Sequence, residues 1–128
     1  LIPVDHTIVT VPGGNCLPAC IASLLEVPLA EVPNFCAKQD WQAELNSWLE
    51  PRGYYAVCFT LAGVNWRPLG LYILAGQSPR GDWLHAVVAR GEKIVHDPHP
   101  SRAGVLSHYD ATLLIPLDPS RQSFRGAP

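Results

Sequence analysis

The sequence predicts an α+β domain in which N-terminal helices pack on one mostly antiparallel sheet. Two helical patterns precede residue 50, and segments rich in Val, Ile, Leu and Tyr follow residue 53. Helices gathered in one half and strands in the other are typical of this class. With 128 residues, 48% of them apolar, the chain has the size and composition of one domain. We assign residues 1–117 to that domain and residues 118–128 to a flexible C-terminal tail with little to bury.

The first helix is predicted over residues 16–25, where apolar residues recur at spacings of three and four. Asn15 suits the N-cap position of this helix, and Pro28 lies where the helix has to stop. A second helix is predicted over residues 40–49, just before a Pro-Arg-Gly segment that ends it. Residues 28–35 are expected to connect the two helices through one short turn.

Strands are predicted where β-branched and aromatic residues cluster between turn residues. A first strand, residues 7–11, leads into a Pro-Gly-Gly turn. The other predicted strands are residues 54–60, 69–75, 85–90, 93–97 and 112–117.

Charge and hydropathy argue against several classes of partner. A net charge of −2 and a pI near 6.2 provide no basic field for nucleic acid. No stretch approaches the roughly 18 to 20 apolar residues that span a bilayer, and the N-terminus shows no export signal, although upstream residues could have been removed. We therefore expect a soluble, cytoplasmic protein that binds neither nucleic acid nor membrane and needs no cofactor or metal.

The spacing of the four cysteines matches neither a dense disulfide framework nor zinc-binding pairs. A reducing compartment is the simpler interpretation, but in a secreted chain Cys36 and Cys58 could pair. Otherwise both are expected to be structural thiols. Cys20 is expected to pack on the apolar face of the first helix.

Cys16 is the candidate nucleophile because it is the first residue of the predicted helix. The positive end of a helix lowers the pKa of a cysteine thiol, and only the thiolate is a strong nucleophile. The preceding Gly13-Gly14 gives access, and the N–H groups of the first turn can hydrogen-bond an oxyanion. The alternative is that Cys16 is simply a small apolar residue at the start of a helix.

His85 is the predicted base for Cys16, since a cysteine nucleophile needs a base within hydrogen-bond reach. It opens the apolar strand 85–90 directly after a loop, and functional groups concentrate at such places. His6, His99 and His108 lie where solvated histidines are ordinary.

Asp97 is the predicted orienter of His85, one hairpin later in the chain. A three-residue loop at residues 90–92 would place Asp97 directly across from His85, and we predict this loop. A two-residue turn at Gly91-Glu92 would point the two side chains to opposite faces and turn His96 inward.

Two alternatives for Asp97 stay open. A carboxylate directly before Pro98 is a common turn former. Asp97 could also form a metal site with His96 and His99, although no cysteine pair lies nearby.

Three segments of the chain resemble the C39-like branch of papain-fold cysteine peptidases. In that branch an Asp/Asn-Cys pair opens a helix, a His starts a strand of small and β-branched residues, and Asp-Pro closes the next strand. The matching segments are residues 15–25, 85–88 and 95–98, and the resemblance extends from about Asn15 to Gly104. It implies a papain-like fold, a triad of Cys16, His85 and Asp97, and a peptide or protein substrate.

Two departures from that pattern bear on function. Such peptidases usually carry a Gln five or six residues before the cysteine that helps to bind the oxyanion, and here Thr10 and Val11 occupy those positions. The oxyanion hole must then rest on the Cys16 backbone N–H, with Asn15 as a possible side-chain donor. C39 domains often precede a transporter, and this chain has no membrane segment, so leader-peptide cleavage does not follow.

The sequence thus predicts a cysteine hydrolase that cleaves a peptide or isopeptide bond through a thioester. The alternative is a papain-like fold that has lost catalysis and acts as a binding or inhibitory module, which the missing Gln favours.

Overall fold

The computed structural model of the chain describes residues 1–9, 14–35, 39–118 and 120. Helix α1 comprises Cys16–Leu25 and helix α2 Trp41–Leu49. The prediction for α1 is confirmed, and α2 begins one residue later than predicted. Short 3-10 helices at Leu29–Glu31 and Glu50–Arg52 follow the two α-helices, the first within the predicted connection. Neither helix is long and apolar enough to cross a membrane in the described part of the chain.

The described part of the chain contains five strands: β1, Tyr54–Thr60; β2, Leu71–Gln77; β3, Leu84–Arg90; β4, Lys93–His96; and β5, Asp110–Pro116. They form one sheet in the order β1-β5-β2-β3-β4, and neighbouring strands are antiparallel. The predicted α+β class, with N-terminal helices and an antiparallel sheet, is therefore confirmed.

The N-terminal segment differs from the prediction. Residues 7–9 are not in a strand, while residues 10–13 lie outside the described part. The N–H groups of Thr7 and Ile8 bond to the Asn15 side chain, and the Ile8 carbonyl accepts from the Asn15 N–H at 3.2 Å. The backbone of this segment is thus paired with the start of α1 rather than with a strand. Of the predicted tail, all but Asp118 and Ser120 lies outside the described residues, as does Cys36.

The two faces of the sheet carry separate buried clusters, because strand side chains alternate between faces. Apolar residues of both helices pack with Ile73, Ala86 and Val88 on one face. Tyr72, Leu74, Val87, Ala89 and Ala111 lie in the second cluster. The helix α1 packs against β3 and β2, so the start of α1 lies near the strand that carries His85.

The hairpin between β3 and β4 corrects the predicted three-residue loop. Arg90 pairs with Lys93, which leaves a two-residue turn, Gly91-Glu92. Gly91, the first of the two turn residues, has φ +58°, and a type II′ turn requires a positive φ at that position. Further along, Ala89 pairs with Ile94 but Val88 pairs with His96. Val95 is therefore an extra residue, a β-bulge in β4.

Asp97 lies one residue beyond the end of β4, after the bulge. Without it, the two-residue turn would place Asp97 opposite Ala86, on the face away from His85. With the register shifted by one residue, the last pair is Val88 with His96. The predicted three-residue loop is therefore wrong and Asp97 does not pair directly across from His85 in the described sheet, but its carboxylate still reaches the imidazole, at 2.7 Å from Nε2.

Candidate active site

Cys16 is the first residue of α1, and its side chain is half-buried. The helix N-terminus carries partial positive charge from its peptide dipoles, and the first N–H groups precede any carbonyl acceptor within the helix. A thiolate at Cys16 and an oxyanion beside it would both be stabilised there. The thiol hydrogen-bonds the imidazole of His85.

His85 lies at the start of β3 and is only 3% exposed. Its Nε2–H donates to Asp97 Oδ1 at 2.7 Å, which leaves Nδ1 for the Cys16 thiol. Across the sheet it pairs with Gly76, where a Cβ would overlap the carbonyl oxygen of Ser107. The backbone beside His85 is thus packed too closely to admit a side chain on β2.

Three donors hold the buried carboxylate of Asp97. Besides His85, the N–H of His99 donates to Oδ1 at 2.9 Å and the N–H of Gly104 donates to Oδ2 at 2.7 Å. Burial by itself raises the pKa of Asp97, but these three hydrogen bonds and the charge of His85 together lower it to about 2. Gly104 has φ +77°, a conformation that suits glycine, so its N–H can face the carboxylate.

His85 is charged over an unusually wide pH range. Burial lowers its pKa, but hydrogen bonds to Asp97 and Cys16, together with the charges of both, outweigh burial and raise it from 6.5 to about 9. At neutral pH the imidazole is therefore protonated, between a carboxylate and a thiol. This is the charge pattern of a thiolate–imidazolium pair.

Arg102 fixes the loop that surrounds Asp97. Its Nη1 donates to the Asp97 carbonyl, and its guanidinium forms two hydrogen bonds with Asp5, at 2.6 and 2.9 Å. His96 next to Asp97 bonds the Val4 carbonyl through Nε2 at 2.9 Å. The N-terminal segment is thus hydrogen-bonded to a residue on each side of Asp97 in the chain, through Val4 to His96 and through Asp5 to Arg102.

The described residues thus bring Cys16, His85 and Asp97 together in the order expected of a triad.

No family model, curated protein or solved structure matches this chain. The described residues contain no group of three or more His, Cys, Asp or Glu side chains that could hold a metal ion.

The predicted N-cap role of the Asn15 side chain is wrong. It precedes α1, but its side chain does not cap the helix in the described structure. Its Oδ1 accepts from the N–H groups of Thr7 and Ile8 at 3.0 and 2.9 Å, and its Nδ2 donates to Thr7 Oγ1 at 3.0 Å. The amide therefore binds the N-terminal segment beside Cys16, and its role as an oxyanion donor stays a prediction.

His6 is the residue that the sequence analysis missed. It was expected to be solvated, but it is buried with 8% exposure. Its ring centroid lies 5.9 Å from that of His85 and 5.2 Å from that of His99. Nothing in the local sequence signals this, because the burial arises from contacts with residues far along the chain.

The other described cysteines differ from Cys16. Cys20 is fully buried in the helix-side cluster, and burial raises its pKa well above its ordinary value. Cys58 is a thiol in β1 whose pKa is also raised by burial. Both are suited to packing rather than to nucleophilic attack.

A surface depression lies beside Asp97, and the Cys16 thiol is not part of its wall. Its walls include Asp5, His96, Asp97 and Arg102, but neither Cys16 nor His85. It does not give access to the thiol, and we do not assign the substrate to it.

Proposed function

We propose that this protein is a papain-like cysteine hydrolase that cleaves an amide bond, in a peptide or an isopeptide, through a thioester intermediate. One observation carries the proposal: a continuous hydrogen-bonded series joins the Cys16 thiol to the His85 imidazole and the Asp97 carboxylate. The Cys, His, Asp order along the chain agrees with the resemblance to C39-like peptidases. A cytoplasmic location and a peptide or protein partner belong to the same proposal.

The reaction would begin with the Cys16 thiolate, whose proton resides on His85. The sulfur attacks the carbonyl carbon of the amide, and the carbonyl oxygen becomes an oxyanion. His85 then gives its proton to the leaving amine as the carbon–nitrogen bond breaks, which leaves a thioester on Cys16.

A water molecule completes the cycle. Neutral His85 takes a proton from the water as the oxygen attacks the thioester carbon, and the carbon–sulfur bond breaks to release the acid. The thiolate returns and His85 is again protonated. Asp97 stabilises the imidazolium and keeps Nδ1 directed at the sulfur throughout.

A second candidate function is binding without catalysis. Thr10 and Val11 occupy the positions where the related peptidases carry the oxyanion-binding Gln. A chain with a weak oxyanion hole could retain a papain-like surface as a binding or inhibitory module. Acyl transfer distinguishes the two candidates.

The proposal is tested by acylation with p-nitrophenyl acetate, an activated ester that makes few demands on a substrate site. We expect a burst of p-nitrophenol and an acetyl group on the peptide that contains Cys16. The Cys16→Ala variant should give neither, whereas Cys20→Ala, which removes a buried thiol one turn away, should behave as wild type. An acetyl group absent from Cys16 in the folded wild-type protein would favour the binding module.

A peptide mixture then tests the amide specificity. Mass spectrometry of a random peptide mixture incubated with wild type should show cleavage products that are absent with Cys16→Ala. Acylation by the ester without cleavage of any peptide would indicate that the enzyme uses a different acyl donor.

A further inference from the structure

We propose that His6 donates the side-chain hydrogen bond to the oxyanion that forms when Cys16 attacks a carbonyl. This inference rests on the proposed hydrolase function and assigns a catalytic role to a residue outside the triad. It would supply the side-chain donor that the Gln five or six residues before the cysteine provides in C39-like peptidases.

The first argument is the unsatisfied polarity of the His6 ring. Neither Nδ1 nor Nε2 has a hydrogen-bond partner among the described residues, although the residue is more than nine-tenths buried. No other buried side-chain nitrogen or oxygen in the described part of the chain lacks a hydrogen-bond partner. An unpaired buried polar group destabilises the folded state, so a ring kept in this state needs an explanation.

The second argument is where the ring lies. It is 5.9 Å from the His85 ring, centroid to centroid, and close enough to Cys16 for the charge of the thiolate to raise its pKa. A carbonyl attacked by Cys16 Sγ must lie within reach of both the sulfur and His85. The unpaired His6 ring lies beside the His85 ring, which such a carbonyl must also approach.

The third argument is that the backbone of His6 is fixed at both ends. Its N–H donates to the carbonyl of Pro98 at 3.1 Å, next to Asp97. The N–H groups that follow, from Thr7 and Ile8, donate to the side chain of Asn15. The segment therefore bridges the residues next to the carboxylate and the residue before the thiol. An oxyanion donor has to be held in place before the reaction in this way.

The charge of the ring suits a donor rather than a base. Burial lowers the pKa of His6, the charge of Cys16 opposes this, and the charges of His85, His99 and Arg80 lower the pKa further. At pH 7 the ring is neutral, with one N–H to donate. A neutral imidazole can polarise a carbonyl, and it leaves His85 as the single imidazolium that pairs with the thiolate.

Two variants of similar size separate the loss of the hydrogen-bond donor at His6 from a change in side-chain shape. His6→Leu removes both ring nitrogens and fills a similar volume, whereas His6→Gln keeps an N–H donor. If His6→Leu does not fold, His6→Ala is used in its place. Thermal unfolding of each variant shows whether it folds, and His6→Leu should unfold at or above the wild-type temperature because it removes an unpaired buried polar group.

Two probes separate the oxyanion from the thiolate. p-Nitrophenyl acetate acylates Cys16 through a tetrahedral oxyanion, whereas iodoacetamide alkylates it by displacement at a saturated carbon, with no oxyanion. Loss of one oxyanion donor typically costs a factor of about 10² to 10³ in rate. We expect His6→Leu to lose about this factor in acylation while its alkylation rate and pH profile stay those of wild type. His6→Gln should recover much of the acylation.

The outcomes are distinguishable. If wild-type Cys16 is neither alkylated selectively nor acylated, the hydrolase proposal itself fails. If wild type reacts with both probes and His6→Leu is acylated at the wild-type rate, only the role of His6 is overturned. Equal losses in acylation and alkylation would also overturn it, since they would place the effect of His6 on the thiolate.

Discussion

Replacing Asp97 by Asn removes the charge that favours the imidazolium of His85 and leaves a side chain of nearly the same shape. Burial opposes the protonation of His85, yet hydrogen bonds and charges of Asp97 and Cys16 raise its pKa from 6.5 to about 9. A rise of this size corresponds to about 3 kcal/mol in favour of the imidazolium. Asp97 supplies the largest of the favourable contributions.

The expected consequence is a less reactive Cys16. Because the imidazolium stabilises the thiolate, lowering the pKa of His85 reduces the fraction of ion pair at neutral pH. We expect Cys16 in Asp97→Asn to be alkylated by iodoacetamide about 10 to 100 times more slowly at pH 7, with the rise in rate moved to higher pH. Peptide mass spectrometry of partially labelled protein gives the rate at each cysteine.

Asp82→Asn is the matched control, since Asp82 lies in an exposed turn before β3. It should leave the pH profile of Cys16 unchanged. An Asp97→Asn protein that is folded and alkylated at Cys16 with the wild-type pH profile would refute the reasoning, because Asp97 would then not act on the thiol through His85.

Three further predictions concern stability. The stabilisation from the raised pKa of His85 is complete below about pH 6.5 and is lost toward pH 9, and that from the lowered pKa of Asp97 is complete above about pH 4 and is lost toward pH 2. In urea unfolding, the stability of wild type relative to Asp97→Asn should therefore be greatest between about pH 4 and 6.5. A difference that is constant across pH would contradict the pairing of His85 with Asp97. Asn15→Ala should lower the free energy of unfolding by about 1–3 kcal/mol, because the part-buried hydrogen bonds from the Thr7 and Ile8 N–H groups lose their acceptor. An unchanged urea midpoint would contradict this. Gly76→Ala should lower the melting temperature markedly, because the added Cβ would overlap the carbonyl oxygen of Ser107. Gly70→Ala, whose Cβ meets no described atom within 4 Å, should have little effect. Equal melting temperatures for the two variants would contradict this close packing.

The sequence predicts the elements whose signals are local. The apolar spacing in residues 16–25 and the flanking Asn15 and Pro28 define α1, and the bounds of β1 agree with the predicted residues 54–60. Cys16, His85 and Asp97 are the predicted site residues, and each lies at the end of a predicted element. Their proximity in the structure follows from packing α1 against β3.

The features that the sequence does not predict depend on contacts outside the segment that carries them. The bulge at Val95 cannot be inferred from residues 93–97, because it follows from the pairing of β4 with β3. His6 is buried beside residues distant in the chain: its N–H donates to the Pro98 carbonyl, and its ring lies near those of His85 and His99. Local propensity carries no information about either contact.

The most direct test of the thiolate–imidazolium pair is the rate of iodoacetamide labelling at each cysteine against pH, in wild type and in His85→Ala. The buried Cys20 and the half-buried Cys58, whose pKa values burial raises, serve as internal references. We expect selective labelling of Cys16 near neutral pH in wild type and its loss in His85→Ala. Slow labelling at every cysteine with ordinary thiol pH dependence, unchanged by His85→Ala, would contradict the account.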